Sequence, residues 1–254
     1  MSGTVFYKMT GSGNDFVMLD GRHARLEDWP ERRIRGICDR RLGVGGDGFL
    51  ILQSEGPATV RMIFFNCDGS RAPMCGNASL CTTRLAAHLG LAPEEMTLVT
   101  DAASFSTRVL PGEGEQAELH LPDFAAPRPV PEVALAPGEV SIWFAESGGP
   151  PHAVVVVDDI ERVDVEGRGR ELRRHPVFAP LGANINFVSP PTSATNGRWP
   201  MRTYERGVEA ETLACGTGAV GCAAVLARLG RLTLPVELLS RGGHPLSVRG
   251  LTDG

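Results

Sequence analysis

The sequence predicts an α+β protein made of two copies of one unit, related by a pseudo-twofold axis. Short apolar runs rich in β-branched residues recur along the chain and read as strands. Two stretches of small residues open at Cys-Gly and close at Leu-Gly, the signature of a helix with a glycine stop. Their landmarks repeat at a constant spacing: Asn66 and Arg206, Cys75 and Cys215, and Gly90 and Gly230 are each 140 residues apart. Leu42-Gly43 and Leu181-Gly182 follow the same pattern at 139.

Phe16–Leu19 is the first strand signal. A helical pattern follows from Pro30 to Arg41, with Ile34, Ile37 and Cys38 on one face. Gly43-Val44-Gly45-Gly46-Asp47-Gly48 fits G-x-G-x-x-G, but a dinucleotide fingerprint must follow a strand and open a helix. Here it follows Asp39-Arg40-Arg41 and leads into the apolar run Phe49–Leu52, so it reads as a turn into a strand. Val60–Phe65 is the next strand, and a helix spans Cys75 to His88. Pro122–Pro137 is Pro-rich with weak periodicity and reads as a connection between halves. It separates an N-terminal domain, 1–120, from a C-terminal one, 121–254, whose end could pack back on the first. Ala153–Val157 and Ile185–Val188 are strands, and Cys215–Leu229 is the third helix.

With 254 residues the chain can bury a substantial core as one large domain or two modest ones. Lys and Arg number 25 against 30 Asp and Glu, a net charge of −5, which excludes a basic nucleic-acid footprint. No apolar stretch approaches a bilayer span. Met1–Asp20 lacks the charged start and apolar middle of a signal peptide. Six cysteines are too few for a disulfide scaffold and are expected reduced in the cytosol. Cys75 and Cys81, and Cys215 and Cys222, are separated by helix, and no histidine cluster completes a zinc set, so no metal is expected.

The chemistry points to the two Cys-Gly junctions. Each cysteine stands where a loop passes into a helix, where unpaired N–H groups and the positive dipole end favour a thiolate. The same N–H groups can cradle a carboxylate. If a pseudo-twofold axis brings the helix starts together, an amino acid can lie with its carboxylate on the helix ends and its α-carbon between two sulfurs. One thiolate then removes the α-proton, and the opposite thiol protonates the other face. Cys38, Cys67, Cys81 and Cys222 are instead expected to be small buried hydrophobes.

Phe6-Tyr7-Lys8-Met9-Thr10-Gly11-Ser12-Gly13-Asn14-Asp15-Phe16 resembles the opening of the diaminopimelate epimerase family. Asn66-Cys67-Asp68-Gly69-Ser70 with Met74-Cys75-Gly76-Asn77 resembles its first cysteine motif. Glu205-Arg206-Gly207 with Glu211-Thr212-Leu213-Ala214-Cys215-Gly216-Thr217-Gly218 resembles its second. The resemblance covers nearly the whole chain. It implies a cytoplasmic, homodimeric isomerase, independent of pyridoxal phosphate and of other cofactors. It would convert LL-diaminopimelate to the meso form for lysine and peptidoglycan synthesis. Each half would wrap a mixed, barrel-like set of strands around a central helix. Cys75 would be the proton donor towards the meso form and Cys215 the acceptor. Gly76, Asn77, Gly216 and Thr217 would offer main-chain N–H groups to the reacting carboxylate. Asn14, Asn66, Asn184 and Arg206 would hold the distal amino-acid end, where a guanidinium matches a carboxylate bidentately. His152 could help set a thiol's protonation, and Glu205 could accept from a substrate ammonium.

The sequence departs from the family at several positions. Pro150 replaces a substrate-binding Asn of many members, Gly48 a Gln of some, and Ala78 and Leu80 a Gly and a nearby Arg. The family usually continues into a closing strand with a Gly-Pro-Ala motif, whereas this sequence stops at Gly254. Two alternatives to the epimerase are a related racemase of histidine or proline type and a non-catalytic thiol redox switch. Asn66, Asn184 and Arg206 favour a substrate with a second charged end.

Overall fold

The computed structural model describes residues 4–112, 116–122, 125–146 and 151–250; Pro150 and Gly254 lie outside the described residues. The chain forms two compact units, Met1–Leu121 and Pro122–Gly254. Among the described residues, no helix is long and apolar enough to cross a membrane.

The first unit is a seven-stranded mixed sheet whose spatial order equals its chain order. Its strands are β1 (Tyr7–Gly11), β2 (Asn14–Asp20), β3 (Gly48–Gly56), β4 (Thr59–Asn66), β5 (Glu95–Val99), β6 (Ser104–Val109) and β7 (Ala117–His120). The β2/β3 and β4/β5 pairs are parallel and the others antiparallel. A parallel pair needs a crossover, and the two crossovers carry α1 (Glu31–Cys38) and α2 (Gly76–His88).

The second unit repeats this pattern. It contains β8 (Arg128–Pro129), β9 (Glu139–Ala145), β10 (His152–Val157), α3 (Val165–Arg173), β11 (Asn184–Val188), β12 (Trp199–Glu205), β13 (Ala210–Thr212), α4 (Gly216–Arg228), β14 (Val236–Leu239) and β15 (Pro245–Val248). The sheet order is β15-β14-β12-β11-β10-β9-β8, with β13 beside β12. Again the pairs bridged by helices, β10/β11 across α3 and β12/β14 across α4, are parallel. The α+β expectation, strands curled around a central helix in each half, is what the structure has. Helix α2 packs on β1 and β3–β7, and α4 on β9, β10, β11, β14 and β15.

Strand alternation builds two cores in each unit. On β2 and β3, Phe16, Met18, Leu50 and Leu52 face α2, while Val17, Leu19, Phe49 and Ile51 join Trp29 and Ile34 beneath α1. On β10, Val154 and Val156 meet α4, while Ala153, Val155 and Val157 meet Leu172 of α3. A strand buried on both faces reads as a continuous apolar run, which is why these strands are visible in sequence. The strands near the ends of each sheet expose one face: β5 and β6 alternate exposed and buried residues, so no such run marks them.

Helix α3 was also hidden, because Gly167 and Gly169 interrupt its pattern. Asp164 caps it by accepting from Gly167 N–H at 2.9 Å. The Pro-rich connection is partly structured: β8 pairs with β9, and Val130 and Val133 enter the core beneath α3. One cysteine expectation fails. Cys38, Cys81 and Cys222 are buried, but Cys67 is exposed, because it sits in the turn after β4 where Gly69 N–H bonds back to Asn66.

A charge cluster ties β1, β2 and the loop before β3. Lys8 Nζ lies 2.7 Å from Asp15, and Arg40 reaches Asp15 at 2.6 Å and Asp47 at 2.7 Å. The Arg40 hydrogen bond, with Lys8 beside it, holds the Asp15 carboxyl well below the usual carboxylate range. A depressed folded value means stability that is present above the unfolded pKa of about 3.9 and lost as pH falls through the folded value. Asp15→Asn is therefore expected to cost about 1–3 kcal/mol at pH 7. Thermal melts of both proteins at pH 7 and pH 3 check this: the gap narrows at pH 3.

Candidate active site

Each central helix begins in the same way. Cys75 precedes α2 with φ −143° and ψ 122°, and Cys215 precedes α4 with φ −135° and ψ 107°. Neither side chain caps its helix, and neither first turn contains an acidic residue. No carboxylate of the first turn itself competes for its N–H groups and the dipole end, which favours an anion there. A Cβ placed on Gly76 would meet nothing within 4 Å, so a ligand carboxylate can come close to the backbone there.

The other buried cysteines are poor acid–base groups. Burial, with Cys75 nearby, pushes the Cys81 thiol up to about 12. Burial raises Cys38 to about 11 and Cys222 higher still. Such thiols stay protonated at neutral pH.

Around Cys75, Asn77 is buried and its amide donates to Asn14 Oδ1 at 2.7 Å, while Asn14 donates to Asp47 at 3.1 Å. Asn14 is thus fixed by the charge cluster and in turn fixes the first turn of α2. Asn66 ends β4 opposite Gly48 and is exposed, with its amide donating to Ser70 Oγ at 3.0 Å.

Around Cys215, Thr217 Oγ1 lies 3.6 Å from the Cys215 sulfur and 3.0 Å from His152 Nε2. His152 opens β10 in register with Asn184 of β11, and both side chains are buried. Burial, aided by the positive charge of Arg206, pushes the His152 imidazole down to about 3, so it is neutral at physiological pH. The Arg206 main-chain N–H donates to Asn184 Oδ1 at 2.7 Å. The half-buried Glu205 ends β12, and burial raises its carboxyl.

The family model for diaminopimelate epimerase matches residues 6–113 and 144–247, both repeated units with the Pro-rich connection left out. The chain belongs to the diaminopimelate epimerase family. A diaminopimelate epimerase of Gemmatimonas aurantiaca is 42% identical over 87% of this chain and 78% of its own length. One from Aquifex aeolicus is 39% identical over 96% of this chain and 88% of its own. In fold, the chain is similar to a phenazine biosynthesis protein of the PhzF family from Bacillus anthracis, with a TM-score of 0.70 at 15% identity over 97% of this chain and 89% of that one.

Two departures from the diaminopimelate epimerase pattern have a local reason. A Cβ on Gly48 would stand 2.6 Å from the Phe64 ring and 2.9 Å from Phe65 O, so a larger residue here needs β4 to give way. Ala78 is fully buried among the residues packed around α2. Leu80 is half-buried, and nothing in the structure explains the replacement there.

Sequence reasoning missed Asn186 and Thr203. Asn186 Nδ2 donates to His152 Nδ1 at 3.0 Å, and Thr203 Oγ1 donates to Asn186 Oδ1 at 2.9 Å. Asn186 lies inside Ile185–Val188, which reads simply as a strand, so a polar residue in its middle was the one signal; Thr203 lies in β12, for which the sequence reading named no strand. Gly218 makes room for Asn186, since a Cβ there would lie 2.2 Å from Asn186 Oδ1 and 3.2 Å from the Cys215 sulfur. Gly218→Ala is expected to lower stability by about 1–3 kcal/mol through overpacking. Gly76→Ala, with no atom to meet, should change it by about 0.5 kcal/mol or less. Urea midpoints of the two variants check the contrast, and equal losses would contradict it.

Proposed function

We propose that this enzyme inverts one α-carbon of LL-2,6-diaminopimelate to give the meso form, with Cys215 as proton acceptor and Cys75 as proton donor. The supporting observation is the duplicated helix start: the same Cys-Gly junction, in a similar extended backbone conformation, opening the helix that crosses between parallel strands in each of two units. The reacting carboxylate binds the N–H groups of Gly76, Asn77, Gly216 and Thr217, where helix dipoles stabilise the charge that develops as the α-proton leaves. The Cys215 thiolate takes that proton and becomes a thiol. The Cys75 thiol gives its proton to the opposite face and becomes a thiolate. No electron is transferred, so the scheme needs no redox partner or cofactor.

His152 does not transfer the proton in this scheme, because a neutral, fully buried ring with both nitrogens engaged is a poor base. Glu205 accepts from the substrate ammonium. Asn14, Asn66, Asn184 and Arg206 hold the distal end, and the Arg206 guanidinium pairs with the far carboxylate. The enzyme works as a cytoplasmic homodimer supplying lysine and peptidoglycan precursor synthesis. Incubation in deuterated water with a panel of amino acids tests the reading. Solvent deuterium should enter diaminopimelate at the inverted centre; entry into proline or histidine with none into diaminopimelate would overturn it.

A further inference from the structure

The charge cluster beside β2 reaches the first turn of α2 through two amides. Asp47 stands just before β3 and is tied to Asp15 in both directions. Its N–H donates to Asp15 O at 2.7 Å, and its carboxylate accepts from the Asp15 N–H at 3.2 Å. Arg40 donates to the other carboxylate oxygen at 2.7 Å. The same carboxylate accepts from Asn14 Nδ2 at 3.1 Å. A carboxylate paired with a guanidinium only accepts, so the Asn14 amide must turn its NH2 towards Asp47. Its Oδ1 then faces α2 and accepts from Asn77 Nδ2 at 2.7 Å. Asn77 is 3% exposed, and among the described residues its Oδ1 has no hydrogen-bond partner, so within the protein Asn14 orients this amide. The backbone is close here as well. Gly11 pairs with Asn14 across the β1/β2 hairpin, and a Cβ on Gly11 would lie 2.8 Å from Asn77 O.

We propose that Asp47 is a positioning residue for substrate binding: it fixes the orientation of the Asn14 amide and, through it, that of Asn77 at the start of α2. This rests on the function proposed above, in which Asn14 holds the distal amino-acid end and the Asn77 main-chain N–H holds the reacting carboxylate. One carboxylate thereby sets groups at both ends of the substrate without being a ligand itself. Orientation matters, because a flipped Asn14 presents a carbonyl where an N–H stood, and a mismatched pair in a desolvated site leaves both partners unsatisfied. Arg40 makes the carboxylate necessary. In Asp47→Asn the side chain keeps one acceptor and gains an NH2. The Arg40 guanidinium only donates, so it draws the acceptor to itself and turns the new NH2 against Asn14. Asn14 then flips, and Asn77 follows.

Neutron diffraction from deuterated crystals of the substrate-free enzyme reads the orientation directly. The Asn14 amide deuterons should lie on the Asp47 side, and those of Asn77 on the Asn14 side. Either amide found reversed would overturn the proposal without any mutation. Kinetics supplies a second test. Asp47→Asn should raise KM for diaminopimelate about tenfold, the scale of one misdirected hydrogen bond, and by more than it lowers kcat. A merely structural role would leave less folded enzyme, and so a lower kcat at unchanged KM. An unchanged KM, or a fall in kcat larger than the rise in KM, would refute the positioning role. Combining the change with Asn14→Ala closes a double-mutant cycle. If Asp47 acts through Asn14, Asp47→Asn should raise KM no further in the Asn14→Ala background; additive effects would refute the relay. The neutron result does not use turnover, so it can fail while inversion of diaminopimelate stands, and it decides the amide orientations even if the deuterium assay fails.

Discussion

Cys75→Ala is expected to lose inversion altogether while still exchanging the α-proton of LL-diaminopimelate, slowly and without change of configuration. In the proposed scheme each sulfur serves one face of the α-carbon. With Cys75 gone, the Cys215 thiolate can take a proton and return one, but only to the face it came from. Cys215→Ala should show the converse, exchanging only the centre of the opposite configuration. A positioned acid or base that assists an existing path is worth about 10²–10⁴-fold. Here no second path exists, so inversion should fall to background. Retained exchange will be slow, because groups that act as a unit have non-additive effects. Mass and stereochemistry of diaminopimelate recovered from both isomers decide the matter. Inversion by either single variant at near wild-type rate would show that one base suffices.

Arg206→Ala is expected to lose about 2–5 kcal/mol of transition-state binding for diaminopimelate, or about 30- to 4,000-fold in kcat/KM at 1.4 kcal/mol per tenfold. Arg206 is half-buried, and its guanidinium donates to Leu181 O at 3.4 Å. Among the described residues, little of its side-chain hydrogen-bonding capacity is spent within the fold. The main-chain N–H that anchors Asn184 survives the substitution, so the backbone around the site should stay in place. The loss should therefore appear in kcat/KM with diaminopimelate and leave the melting temperature nearly unchanged. A kcat/KM equal to wild type would remove Arg206 from substrate binding.

The duplication was legible because it is written in local identity and spacing: Cys-Gly opens and Leu-Gly closes each central helix. The five strands found in sequence are buried on both faces over most of their length, where burial demands a largely apolar run; β12 is similarly buried, but Arg202 and Thr203 break its apolar run. The strands near the sheet ends and α3 were not legible, because half-exposed strands alternate with polar residues and two glycines break the helical pattern. The candidate cysteines were visible for the same local reason, since a helix start is a property of neighbouring residues. The environment of Cys215 is decided by tertiary structure. His152, Asn186, Thr203 and Thr217 come from three adjacent strands and a helix, and hydrogen-bond direction among them exists only once β10, β11 and β12 are in register. Sequence can name a histidine near a motif. Whether that ring is charged, which nitrogen bears its proton and which atom it meets depend on burial and on partners far along the chain.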